Sequence, residues 1–178
     1  MNKPGWVTTV GILGIVFGCF GLLGSVQSLF MDRLLAQQRR MLEQIAAQPG
    51  PVTEFARRLL ESMVGMPAWF RSWSIGAAIA GLILYAAYIH AATAILRVRP
   101  GAVRRFAAAS ALVIAYGVVQ GAAAYAAMPE MRLFVVPGIV FNLVVHVSLL
   151  GVALASDRSV FEGPAGAPPP VPRAGGGA

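Results

Sequence analysis

Four polar side chains lie inside apolar stretches of this 178-residue chain, where a polar group is costly and commonly functional. They are His90, Gln120, Asn142 and His146. Two imidazoles and two amides could pass a proton or a polar solute, hold a haem iron from both sides, or join helices by hydrogen bonds. We expect the last role, because no carboxylate lies in these stretches and ion-coupled carriers usually need one. Two histidines alone also make a poor metal site, so no cofactor is expected.

A second pattern is a stripe of small residues in the first apolar stretch, repeating at intervals of three and four. Its members are Gly11, Gly14, Gly18, Gly21, Ser25 and Ser28. A glycine face lets two helix backbones approach closely, which holds helices together in lipid, where the hydrophobic effect cannot. The sustained period of 3.5 residues favours a left-handed crossing. We expect the stripe to pack within the chain, and the alternative is contact with a second copy.

Four segments free of Asp, Glu, Lys and Arg must position these residues. They are Val7–Phe30, Trp73–Leu96, Phe106–Met128 and Leu133–Ala155. Each is at least as long as the roughly 20 residues that a helix needs to cross a bilayer. The hydrophobic residues amount to 57% and the charged residues to 12%, which excludes an ordinary soluble domain. The sequence therefore predicts an all-α membrane protein, a bundle of four transmembrane helices in a single domain over residues 1–155.

Helical rise gives each polar residue a depth, counted from the side at which the second and fourth helices begin. At about 1.5 Å per residue, Gln120 and Asn142 lie at roughly 12 and 14 Å, so they are level and could hydrogen-bond. His146 and His90 follow at roughly 20 and 26 Å, with Ser110 level with His90. Asn142 and His146, spaced i, i+4, share a helix face.

The segments outside the spans are of two kinds. Residues 31–66 carry apolar side chains at helical spacing on both sides of a Pro-Gly-Pro turn at 49–51. They predict an amphipathic helical hairpin outside the bilayer, between the first and second spans. Residues 156–178 contain five prolines and five glycines and predict a disordered tail.

The charges on the flanks predict the orientation. The side that holds both termini and the link 97–105 carries seven cations and two acids, and the other side carries seven cations and five acids. The short arginine-rich link favours the cytoplasm, which places both termini there and the hairpin in the periplasm of a bacterial inner membrane.

The net charge and the motif content of the sequence restrict the classes of function that the chain can have. The net charge of +7 is spread over short flanks, so it favours anionic lipid and not nucleic acid. We find no Ser-His-Asp set, phosphate loop or carboxylate pair, so no enzyme is expected. The leading hypothesis is a structural, accessory or assembly protein that acts through helix packing, with the bilayer and a second copy or another membrane protein as partners. The alternatives are a small channel or transporter subunit and a b-type haem protein.

Overall fold

The computed structural model describes residues 3–30, 65–156 and 159–161, together with the isolated positions 33, 36, 37, 40, 54, 57 and 58. Within these residues the chain is helical and contains no strand. The four long helices are α1 (Gly5–Leu29), α2 (Ala68–Leu96), α3 (Ala102–Ala127) and α4 (Arg132–Ala155), with 3-10 turns at Pro129–Met131 and Ser159–Phe161. All four are long and apolar enough to cross a membrane, which confirms the prediction of four helices of spanning length.

The helices begin earlier than the charge-free segments. Pro67 and Gly101 precede α2 and α3, so the first turn of each takes in residues on the charged flanks. Arg71 therefore lies within α2, and Arg104 and Arg105 within α3. An arginine near a helix end can extend its guanidinium toward the aqueous boundary, so these charges do not prevent the helix from continuing.

The link from α2 to α3 is tight. The amide of Arg99 donates to the carbonyl of Ala94 at 3.1 Å, and the amide of Val98 donates to the carbonyl of Ile95 at 2.9 Å. This pair of bonds is a Schellman motif, which normally places glycine in the left-handed position. Val98 occupies that position here with φ of 50°. The packing of the half-buried valine side chain against the core offsets this backbone strain.

The helices follow one another around a ring. α1 packs most extensively against α2, α2 packs against α3 and α3 against α4, whereas α4 and α1 meet over a much smaller area. α2 and α4 therefore lie opposite each other across the centre of the bundle. The loose seam between α1 and α4 leaves a cleft, which is described below.

One end of the bundle gathers the start of α1, the α2–α3 link and residues 159–161. Lys3 Nζ donates to the carbonyl of Leu96 at 2.8 Å, so a cation closes the C-terminal end of α2. The rings of Trp6 and Phe161 lie 5.7 Å apart, and Phe161 is buried. Residues 159–161, at the start of the predicted tail, thus pack onto α1, because Phe161 offers a large aromatic side chain.

The predicted hairpin 31–66 and tail 156–178 lie mostly outside the described residues. Within the hairpin, Glu54 accepts hydrogen bonds from Arg57 at 2.9 Å and from Arg58 at 3.3 Å. The two guanidiniums hold the pKa of the exposed Glu54 carboxyl below its usual value, and Arg57 has the larger effect. Arg33 lies over the ring of Phe30, 6.0 Å from its centroid.

Candidate functional site

The four predicted polar residues do not form one cluster. His90 is exposed on the outer face of α2, in a groove that also contains Thr93 and Arg97. Gln120 is half-buried on α3, and Asn142 and His146 line a cleft between α1 and α4. The structure therefore brings together only the two residues of α4.

The hydrogen bond that equal depth would allow between Gln120 and Asn142 is not formed. Gln120 Oε1 accepts a hydrogen bond from Trp73 Nε1 at 2.7 Å, which ties it to α2. Asn142 Oδ1 is buried, has no hydrogen-bond partner among the described residues, and points at Gly117 of α3. A Cβ at Gly117 would lie 2.8 Å from that oxygen. The two amides lie at the same depth, but Gln120 faces α2 whereas Asn142 faces α3.

His146 lies at the centre of the bundle and is only 2% exposed. Its Nδ1 lies 3.2 Å from Tyr88 Oη, and the two rings meet edge to face at 5.2 Å. Because α2 and α4 are opposite helices, this pair bridges the bundle through its middle. Phe17 of α1 approaches the imidazole from a third side, with its ring centroid at 6.5 Å, and Phe106 of α3 packs against Tyr88 at 5.3 Å.

Bis-histidine haem ligation does not fit this arrangement. His90 follows Tyr88 by two residues, and a helix places such positions on nearly opposite faces. Tyr88 points into the bundle at His146, and His90 is exposed. The two imidazoles therefore cannot flank one iron. Ser110, predicted to lie level with His90, is fully buried, and its Oγ has no hydrogen-bond partner among the described residues.

A group of tyrosines completes the polar core, and the sequence analysis missed it. Tyr116 Oη donates to the carbonyl of Ala77 at 2.9 Å, and the rings of Tyr85 and Tyr116 meet edge to face at 6.0 Å. Two sequence signals were available. Tyr85 and Tyr88 are spaced i, i+3 and so share a helix face. All three tyrosines also lie well inside their spans, although membrane tyrosines usually lie near the ends.

The small-residue stripe lies along α2. A Cβ at Gly14 would lie 2.9 Å from the Cβ of Ala92 and 3.2 Å from the ring of Phe106. The other facing pairs are Gly11 with Leu96, Gly18 with Ile89, Gly21 with Tyr85, and Ser25 with Gly81. Numbers rise along α1 as they fall along α2, so the two helices are antiparallel and in constant register. Ser25 and Ser28 donate to carbonyls one turn earlier in α1, each at 2.9 Å.

The end of the bundle near the termini is filled by apolar side chains. Val7, Val10, Ile95 and Phe106 have no exposed surface, and Ala153 of α4 joins them. The polar side chains at the centre therefore do not continue to this end. The structure shows a packed core here instead of the second half of a polar path.

The cleft between α1 and α4 has a volume of about 450 Å³ and opens sideways. Its rim is formed by Phe20 and Phe141, which are 64% and 63% exposed. Phe17 contacts Phe141 at 6.2 Å and holds the two helices apart. Asn142, His146 and Tyr85 supply its polar side chains. Volume and composition are those of a site for a small apolar molecule with a few polar atoms.

Among the residues that the structure describes, no three His, Cys, Asp or Glu side chains come close enough to hold a metal ion. The chain matches no protein-family model, no curated protein and no solved structure.

Proposed function

We propose that this chain is a small integral membrane protein that acts as a structural, accessory or assembly factor through helix packing, without catalysing a reaction. The observation that carries the proposal is the outer face of α4. Only 11% of the most apolar 18-residue segment of α4 is buried, against 28% to 39% in the other three helices. α4 is thus the helix with the most surface left to pack.

The exposed face of α4 has the spacing of a packing surface. Its members are Leu133, Val136, Val140, Val144 and Val147, at intervals of three and four, and all are exposed. Helices in lipid associate through interlocking side chains. Valine suits this role because its χ1 is already restricted in a helix, so little entropy is lost on contact. The occupant is a membrane-spanning helix of a second copy or of another protein.

The packed end of the bundle supports this function over transport. A solute or proton that reached His146 from the cleft would meet Val10, Ile95 and Phe106, none of which has exposed surface. Purified protein in liposomes is accordingly expected to conduct no proton or solute flux that depends on His146 or Asn142.

The membrane and the orientation belong to the same proposal. The arginine-rich link 97–105 favours the cytoplasmic side of a bacterial inner membrane. Lys3 joins the C-terminal end of α2, and Phe161 packs against Trp6, so both termini accompany that link. The hairpin 31–66 then faces the periplasm.

Photo-crosslinking in native membranes tests the packing surface. A benzophenone amino acid is placed at Val140 of α4 or at Ile79 of α2, which are 53% and 52% exposed and therefore matched. We expect one discrete protein adduct from Val140 and none from Ile79. An adduct of twice the chain mass identifies a second copy, and any other mass another protein. Equal labelling from both positions, or lipid adducts alone, would overturn the proposal.

A further inference from the structure

The cleft between α1 and α4 lies at half the height of the bundle. Phe17 is 12 residues from each end of α1, which corresponds to about 18 Å of helix. Asn142 lies 10 residues after the start of α4 and 13 before its end. Because Phe20 and Phe141 at the rim are exposed, the mouth faces the hydrocarbon and not an aqueous surface.

The inner wall of the cleft holds a polar atom that lacks a partner. His146 uses Nδ1 for Tyr88, and no described residue offers its Nε2 a hydrogen bond. Either neutral tautomer leaves Nε2 available, as an acceptor in one and as a donor in the other. Asn142 lies one turn away, with Oδ1 beside Gly117, and its side chain also interacts with the Tyr85 hydroxyl. An unmet hydrogen bond in hydrocarbon is costly, so a ligand that completes it is favoured.

These features restrict the chemistry of the occupant. The walls carry no charged side chain, so nothing here would compensate a charged ligand. A phospholipid headgroup lies about 18 Å away at the helix ends, and an acyl chain at this depth has no hydrogen-bonding atom. The ligand therefore carries a neutral polar group on an apolar body. Phe17, Tyr85 and Phe141 offer ring faces and edges, which favour a planar ring.

We propose that the α1–α4 cleft binds an uncharged, membrane-soluble ring compound that bears a carbonyl or a hydroxyl, of the quinone and quinol class. The ring lies in the cleft beside the Phe17–Phe141 pair, and its oxygen meets His146 Nε2. A carbonyl accepts from the protonated nitrogen, and a hydroxyl donates to the unprotonated one. The Asn142 amide, beside Tyr85 in the cleft wall, supplies a second contact.

The two histidines of the chain provide the assay. Protein with ¹⁵N-labelled histidine is placed in nanodiscs of synthetic phosphatidylcholine and titrated with decylubiquinone. The His146 ring signals should shift saturably, whereas those of His90, exposed on the opposite side of α2, should stay in place. The variant H90Q assigns the signals. A shift that is equal for both histidines, or that does not saturate, means partition into the bilayer and overturns the proposal.

Two controls test the polar recognition. Asn142→Leu should weaken binding at least tenfold, and Gln120→Leu, which changes an intramembrane amide outside the cleft, should leave binding unchanged. Dodecylbenzene has a ring and a chain but no oxygen, and it should give no saturable shift of His146. Binding that survives Asn142→Leu, or an equal response to dodecylbenzene, would contradict a site for a ring oxygen. The comparison of His146 with His90 in the unmodified protein stands even where a variant folds poorly.

Discussion

Replacing Gly14 by alanine is expected to lower the free energy of unfolding, because no atom beside the new methyl group can yield. An ideal Cβ at this position would lie 2.9 Å from the Cβ of Ala92 and 3.2 Å from the ring of Phe106. Both neighbours are fully buried. The Ala92 Cβ is bonded to the backbone of α2, so α1 and α2 must move apart by about 0.5–1 Å to restore ordinary carbon contacts of about 3.5–4.0 Å.

The magnitude follows from the contacts that this separation weakens. A gap of that size reduces the dispersion energy of each atom–atom contact by about a third, and one contact contributes about 0.15 kcal/mol. If about 50 contacts along the seam are affected, as many as one buried leucine makes, the loss is about 2.5 kcal/mol. This lies within the usual cost of overpacking, about 1–3 kcal/mol. The higher helix propensity of alanine returns up to about 1 kcal/mol, which leaves a net loss of about 1.5 kcal/mol.

Gly24 is the matched control. It lies in the same helix, is exposed, and has nothing within 4 Å of an added Cβ. Gly24→Ala gains the same propensity without the overlap, so the two variants should differ by about 2.5 kcal/mol. Reversible unfolding in mixed micelles of rising SDS content, followed by far-UV circular dichroism, measures both. Equal unfolding free energies for the two variants would show that the α1–α2 seam has room, and the reasoning would fail.

Four further outcomes are expected. Tyr88→Phe should lower the unfolding free energy by about 0.6 kcal/mol, the average for an interhelical hydrogen bond, in the same SDS assay. Val98→Gly should change it by less than about 1 kcal/mol, because the left-handed penalty that glycine removes is offset by the lost packing of the half-buried valine and by the backbone entropy of glycine. Alkaline phosphatase fused after Gly50 should be active and after Gly101 inactive; the reverse pattern contradicts the proposed orientation. The Glu54 carboxyl, followed by ¹³C NMR, should titrate with a pKa below the usual glutamate value of about 4.3. The stability that its two arginine partners contribute is therefore present above that pH and is lost as pH falls through the lowered pKa.

The spans could be predicted because lipid allows little else. A segment of about 20 residues without a charge has few alternatives to a helix in a bilayer, and all four appear. Their exact starts could not be predicted from the absence of charge. Arg71 and Arg104 lie inside helices because an arginine tolerates the first turn of a span when its guanidinium can reach water.

The neighbours of the polar side chains in the core could not be predicted from the sequence. Helical rise gives the depth of a side chain but not the neighbour that its face meets. Gln120 and Asn142 are level, yet one bonds Trp73 and the other points at Gly117. The direction of His90 depends on how α2 is rotated, which the contacts of Tyr85 and Tyr88 determine. Tyrosine is compatible with an apolar segment, so these residues do not stand out when membrane spans are predicted from the sequence. Only the assembled bundle shows that their hydroxyls lie at its centre.

The antiparallel register of α1 and α2 has a consequence for synthesis. α1 is complete at Leu29, but α2, the helix it packs against most extensively, ends at Leu96, 67 residues later in the chain. At about 5–20 residues per second, the ribosome needs roughly 3–13 s to supply that partner. During this interval the glycine face of α1 is without α2. Nascent chains on one polysome could then exchange first helices, so membrane insertion must keep neighbouring copies apart or retain α1 beside the insertion machinery until α2 arrives.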